Sequence, residues 1–212
     1  QTIIQNIAEQ AASSKTILEI GAGEGVLTEE LAKRAKKIIA LEFDRDLIPE
    51  LLNRFPLSSN VSVIEADILR TDIPGILKKY GWKGEPYDVF GNIPYAITGK
   101  IIRLLTSLDP VPNKIVLMVQ KEVAERIVAK DGKQSLLSLS VALFGTSKIL
   151  FTVPKEAFFP APHVESAVIR ITPDPDRLSL EEREQTLHLA KIGFASKRKT
   201  LINNFAAHRE YS

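Results

Sequence analysis

The feature that most constrains the fold is an alternation of short apolar runs with helical patterns. Thr16 to Ile20, Lys37 to Glu42, Val61 to Glu65, Tyr87 to Gly91 and Lys114 to Gln120 read as strands. Between them stand helix-like stretches such as Leu27 to Ala35, Leu47 to Phe55 and Gly99 to Leu108, so strand follows helix through about residue 144. Several of the runs are nearly continuous in Val, Ile and Leu, which suits strands covered on both faces. The order predicts a parallel sheet with helices on both sides. The ending differs. Ser147 to Val153 and Ser166 to Thr172 are joined by Pro154 to Glu165, too short for a crossover helix, so this pair is expected to be antiparallel. After Pro173 to Pro175 come an acidic helix start at Ser179 to Glu184, an amphipathic stretch to about Ala195 and a second helix from Thr200. The expectation is an α/β fold: a seven-stranded, mostly parallel sheet with an antiparallel last strand, plus a small C-terminal helical appendage.

Composition removes whole classes of chemistry. There is no cysteine among the 212 residues, which excludes disulfides, thiolate zinc sites and cysteine nucleophiles, and with three histidines no metal site is expected. No stretch has the pattern of a secretion signal or a run of eighteen apolar residues, so a cytoplasmic protein with no membrane partner is expected. A net charge of +2 permits an RNA partner without requiring one. In the absence of a long apolar heptad, a monomer is the expectation.

Glu19-Ile20-Gly21-Ala22-Gly23-Glu24-Gly25 follows the first strand and opens a helix, so its glycines allow a tight turn and close approach of a nucleotide. The spacing is G-x-G-x-G, not the dinucleotide G-x-G-x-x-G, and Glu19 and Glu24 put negative charge where a pyrophosphate would sit. A cationic ligand without phosphates fits better. Glu42 ends the second strand, where a carboxylate can accept from both ribose hydroxyls. Beyond the third strand, Asp67 can accept from an adenine amino group and Ile68 can cover the ring face.

Gly91-Asn92-Ile93-Pro94-Tyr95 follows the fourth strand. The Asn92 amide oxygen and the Ile93 carbonyl can both accept from an amino group and hold its lone pair toward a methyl donor. Tyr95 offers a stacking face for a flipped base. This segment resembles the motif of adenine-N6 methyltransferases, in the form found in the ribosomal RNA dimethyltransferases of the KsgA and Erm families. Ala157 to Val168 resembles the family segment whose first phenylalanine faces the target base, here Phe158, with Phe159 the competing ring. Phe194 to Leu201 resembles the family's basic segment, which assigns Lys197, Arg198 and Lys199 to RNA. Val119 to Ala124 also looks like the family, and the segments from Ala157 and Phe194 look closer to the KsgA branch than to Erm.

The resemblance implies a class I, Rossmann-like methyltransferase that uses S-adenosyl-L-methionine. It would dimethylate N6 of two adjacent adenines near the 3′ end of small-subunit (16S) rRNA, in the 30S subunit or its precursor. The implied cofactor set is Glu19, Gly21, Ala22, Gly23, Gly25, Glu42, Phe43, Asp67, Ile68 and Asn92; the implied catalytic set is Asn92, Ile93, Pro94, Tyr95 and Phe158. Residues 1–173 would form the catalytic domain and 174–212 the start of a helical RNA-binding domain. The pattern departs from the family at Ala96, where asparagine is usual, and at Gly99, where threonine is usual. The family's Gln-Asn-Phe-Leu motif should precede Gln1, and its further helices should follow Ser212. An Erm-type 23S rRNA enzyme and a non-catalytic RNA-binding assembly factor are the alternatives.

Overall fold

The two-sided burial expected of the apolar runs is present in the computed structural model, which describes residues 2–11, 15–129, 135–176, 178–196 and 200–206. In β1 (Thr16–Ile20) every residue is buried, with Ile17 facing one core and Leu18 and Ile20 the other. In β2 (Lys37–Glu42), Ile38 and Ala40 join the first core while Ile39 and Leu41 join the second. Each such side chain contributes roughly 1.5 to 3 kcal/mol by leaving water. β3 (Val61–Glu65), β4 (Tyr87–Asn92), β5 (Lys114–Gln120), β6 (Gly145–Val153) and β7 (Ser166–Pro173) complete a seven-stranded sheet in the order β3-β2-β1-β4-β5-β7-β6.

Pairs from β3 through β5 are parallel, whereas β7 runs antiparallel to both β5 and β6. The antiparallel strand is therefore inserted between β5 and β6, with β6 at the edge. The register pairs Gln120 with Ser166, which brings the start of β7 to the carboxyl end of β5.

One face is covered by α1 (Ile3–Glu9), α2 (Val26–Ala32) and α3 (Ile48–Arg54), through Ile7, Leu27, Leu31 and Leu51. The other is covered by α4 (Ile73–Lys79), α5 (Thr98–Thr106), α6 (Lys121–Val128) and α7 (Leu136–Phe144), through Leu77, Ile101, Leu105, Ile127 and Phe144. Several helices begin where a side chain takes up an orphan N–H. Thr2 with Gln5 forms a capping box ahead of α1, and Asp72 accepts from Gly75 N ahead of α4.

The C-terminal helices behave as the sequence suggests and add a docking contact. α8 (Leu180–Gly193) opens on a capping box of Ser179 and Glu182. Its Arg183 is buried against the α5 and α7 layer: Nη1 donates to the Thr106 carbonyl at 2.9 Å, and the guanidinium lies 5.4 Å from the Phe144 ring centre. Asn204 of α9 (Leu201–Ala206) ties that helix to the end of α8, its Nδ2 donating to the Gly193 and Ser196 carbonyls at 2.7 and 3.2 Å. Among the described residues no helix is long and apolar enough to cross a membrane.

Candidate active site

Strand order reverses at β1, whose neighbours are β2 and β4, and the loops leaving β1 and β4 open side by side into the crevice above the sheet. Gly91 makes this approach close. A Cβ there would stand 2.7 Å from the Ile20 carbonyl oxygen. The glycine loop takes positive φ at Gly21, Gly23 and Gly25 (74°, 57° and 80°). At Gly25, which starts α2, a Cβ would lie 2.8 Å from Phe55 Cε2, so the loop sits tight on α3. At Gly21 it would meet the Asn92 carbonyl oxygen at 3.3 Å, so the loop and the Asn92 segment are in contact.

Glu42 is buried and holds the loop. Its Oε2 accepts from Gly23 N at 2.7 Å, and its Oε1 accepts from Phe43 N and Asp44 N at 2.7 and 2.8 Å. A carboxylate has about four acceptor positions, so the expected bonds to both ribose hydroxyls meet a group already holding three backbone donors. Gly21 N and Ala22 N are likewise engaged, both donating to the Leu41 carbonyl at 2.8 and 3.1 Å.

Glu19 is fully buried, and neither carboxyl oxygen nor the Thr28 hydroxyl has a hydrogen-bond partner among the described residues. Burial pushes the Glu19 carboxyl up to about 8; the Thr28 hydroxyl, close but short of hydrogen-bond geometry, pulls it down, and the Glu42 charge adds to the rise. A buried acid with no cation paired to it among the described residues, under the glycine loop, suits a ligand that brings positive charge.

Beside the loop lies a cavity of about 280 Å³ walled by Ile20, Leu41, Ile68, Pro94, Ile97 and Ile101. Asp67 stands at its edge with Oδ1 accepting from Leu69 N at 3.0 Å, which leaves Oδ2 facing Arg70 Nε at 3.8 Å. Phe43 lines it too and is 73% exposed. An apolar slot with one carboxylate at the rim matches a purine ring and its amino group. A larger groove of about 650 Å³ lies by Tyr87, Asn113 and Thr172, at the far ends of β4, β5 and β7, away from every predicted site residue.

On the β4 side the Asn92 side chain is exposed and forms no hydrogen bond with a described residue. The Ile93 side chain is buried in the core, while the Pro94 carbonyl accepts from Ile97 N and Thr98 Oγ1, both at 3.2 Å. Half-buried Tyr95 heads a short 3-10 turn, and its hydroxyl shares a 2.6 Å hydrogen bond with Ser166 Oγ. The two phenylalanines differ: Phe158 is half-buried and packs on the core under α1 to α3, whereas Phe159 is wholly exposed. Lys197, Arg198 and Lys199 lie outside the described residues. Ser166 and the clamping role of Glu42 escaped the sequence reading. A lone serine opening a strand carries no local signal, and the Glu42 bonds depend on how the loop folds back.

Phosphates have no place beside Glu19 and Glu42, whereas a sulfonium donor with an α-ammonium does. On this sheet, with β7 reversed, that site defines the class I S-adenosylmethionine-dependent methyltransferases. A model of the ribosomal RNA adenine dimethylase family matches residues 1–210, and the chain belongs to that family. It is 38% identical over 201 residues to a ribosomal RNA small subunit methyltransferase A of Dehalococcoides mccartyi, covering 94% of this chain and 68% of that protein. The chain spans about two thirds of the length of such curated relatives. Among solved structures, a dimethyladenosine transferase from Plasmodium falciparum superposes with a TM-score of 0.77 at 32% identity, covering 97% of this chain and 73% of that one. The 23S rRNA methyltransferase ErmE superposes at 0.75 with 26% identity, covering 96% and 81%.

Proposed function

We propose that this chain transfers methyl groups from S-adenosylmethionine to N6 of two adjacent adenines in small-subunit rRNA, giving N6,N6-dimethyladenosine during subunit maturation. The observation that carries the reading is the unengaged Asn92 amide touching the glycine loop through its own backbone. The names of the curated relatives favour the small subunit over the large.

The bound cofactor supplies an activated methyl group. Glu42 and the glycine loop would hold its ribose and methionine parts, Asp67 and Ile68 its adenine, with Phe43 as the outer wall. Glu19 beneath the loop balances its positive charge. Asn92 Oδ1 and the Ile93 carbonyl accept from the target amine and aim its lone pair at the methyl group. Neither the Ile93 carbonyl nor the Asn92 amide has a competing partner among the described residues. Tyr95 and Phe158 stack on the flipped base and exclude water. An N-methylated adeninium is strongly acidic, so the proton it sheds goes to solvent.

In this reading residues 1–173 form the catalytic domain and 174–212 begin an RNA-binding region, in which Lys197, Arg198 and Lys199 contact phosphates. The chain acts as a cytoplasmic monomer on the 30S subunit or its precursor. The test is transfer of labelled methyl to purified small subunits lacking adenine dimethylation, with large-subunit RNA alongside. Dimethyladenine in small-subunit RNA alone is expected. Label confined to the large subunit assigns the chain to the Erm-type reaction, and none in either, with cofactor bound, makes it a non-catalytic RNA-binding factor.

A further inference from the structure

Ser166 sits oddly in its strand. It opens β7, is fully buried, and is flanked in register by Gln120 of β5 and Val153 of β6. The next residues, Ala167, Val168 and Ile169, are all apolar and buried. A hydroxyl at such a position is costly to bury unless bonded, and an alanine would serve the sheet equally well. The side-chain partner it has is the Tyr95 hydroxyl at 2.6 Å.

We infer that Ser166 is a positioning residue for methyl transfer: it pins the far end of the Tyr95 ring so that the stacking face is presented to the target base before RNA arrives. The inference rests on the stacking role proposed for Tyr95. With Cα held at the head of the 3-10 turn and the phenolic oxygen held by the sheet, the ring can still flip about its long axis. It cannot swing. The anchor is rigid on its own side, because Lys121 N donates to the Glu165 carbonyl at 3.0 Å and Lys121 Nζ pairs with Glu165 Oε2 at 2.8 Å. Ser166 is also the root of the loop that carries Phe158 and Phe159, so one hydroxyl ties the β4 aromatic to the segment bearing the other rings.

Ser166→Ala and Tyr95→Phe remove the same bond from opposite ends, and Phe keeps the stacking ring. Each is expected to lower kcat on small-subunit RNA about tenfold, with KM for RNA and cofactor affinity nearly unchanged. The double variant should lose no more than either single one. Independent losses that multiply, a loss confined to KM, or full activity in Ser166→Ala would overturn the inference. Ring order is read separately by fluorine NMR of protein labelled with fluorotyrosine. The chain has four tyrosines, Tyr95→Phe identifies the signal of interest, and Ser166→Ala is expected to shift and broaden it. An unmoved signal refutes the tether even if wild-type protein methylates neither RNA, the outcome that would instead retire the proposed reaction.

Discussion

On the β1 to β3 side of the crevice the acids proposed to serve the cofactor, Glu19 and Glu42, are buried, and Glu42 is committed to backbone donors. On the β4 to β7 side Asn92 is exposed and unengaged, Phe159 is bare, and Tyr95 is held by a single hydroxyl contact. Under the proposed function the difference follows from what each side would receive. In the proposed reaction a small cofactor would be gripped by a loop whose shape is set in advance, so its contacts are built into the core. A base that must leave an RNA stack brings much of its own surface, and the groups meant for it have to stand free until then.

The largest effects should separate the two sides cleanly. Asn92→Ala is expected to cut methyl transfer by roughly 10²- to 10³-fold while cofactor affinity, measured by calorimetry, stays within about twofold. Glu42→Ala should do the reverse. Three backbone N–H groups lose their acceptor, so cofactor affinity falls about tenfold or more and the fold loses roughly 1 to 3 kcal/mol. If the Asn92 variant turns over normally, the β4 side is not where the amine is held. Should Asn92→Ala instead weaken the cofactor as much as Glu42→Ala does, the division into two sides fails.

The two sides also differ in how far they could be read from sequence. The strands came through because burial on both faces leaves continuous apolar runs such as Lys114 to Gln120, and the acids stand out because Glu19, Glu42 and Asp67 fall at or just past strand ends. Lateral order did not: nothing local says that β7 inserts between β5 and β6, or that Ser166 thereby reaches Tyr95 across 71 positions. No element is predicted before Thr16, although Thr2 with Gln5 and the spacing of Ile3, Ile4 and Ile7 carry the α1 signal. Phe158 and Phe159 share one motif, and only packing distinguishes the half-buried ring from the bare one.

A smaller effect tests whether the buried side is waiting for a cation. Glu19 is raised from 4.5 to about 8, so the unfolded chain ionises this group first and the folded state holds the extra proton between those values. Its effect on stability is therefore absent at the acid end of that window, grows unfavourable as pH rises through it, and levels off above about 8. Glu19→Gln is expected to match wild type near pH 4.5 and to exceed it by roughly 4 kcal/mol at pH 8.5, measured by denaturant unfolding. In the proposed reading the bound cofactor favours the ionised acid, so wild-type affinity should rise with pH across the window while the variant's stays flat. A pH-independent gap between the two proteins would mean that Glu19 is ionised in the folded state already.

The smallest effect concerns Gly99, which occupies the second position of α5, just behind the Asn92 to Tyr95 segment. A Cβ there would find Leu137 Cδ2 at 3.9 Å, an ordinary contact, and its φ is not among the positive ones. The glycine is therefore not required by the backbone or by space, and the departure from threonine leaves the turn intact. Gly99→Ala should raise stability by about 0.5 to 1 kcal/mol, through the unfolded chain's lost freedom and alanine's helix preference. Thermal unfolding reads the gain, and methyl transfer gives it meaning. Unchanged turnover in the stabilised variant means that the β4 side is exposed yet rigidly based, as the Ser166 tether requires. A gain in stability joined to a loss of turnover means that this helix start has to yield when the base enters, and then the exposed side of the crevice is also the mobile one.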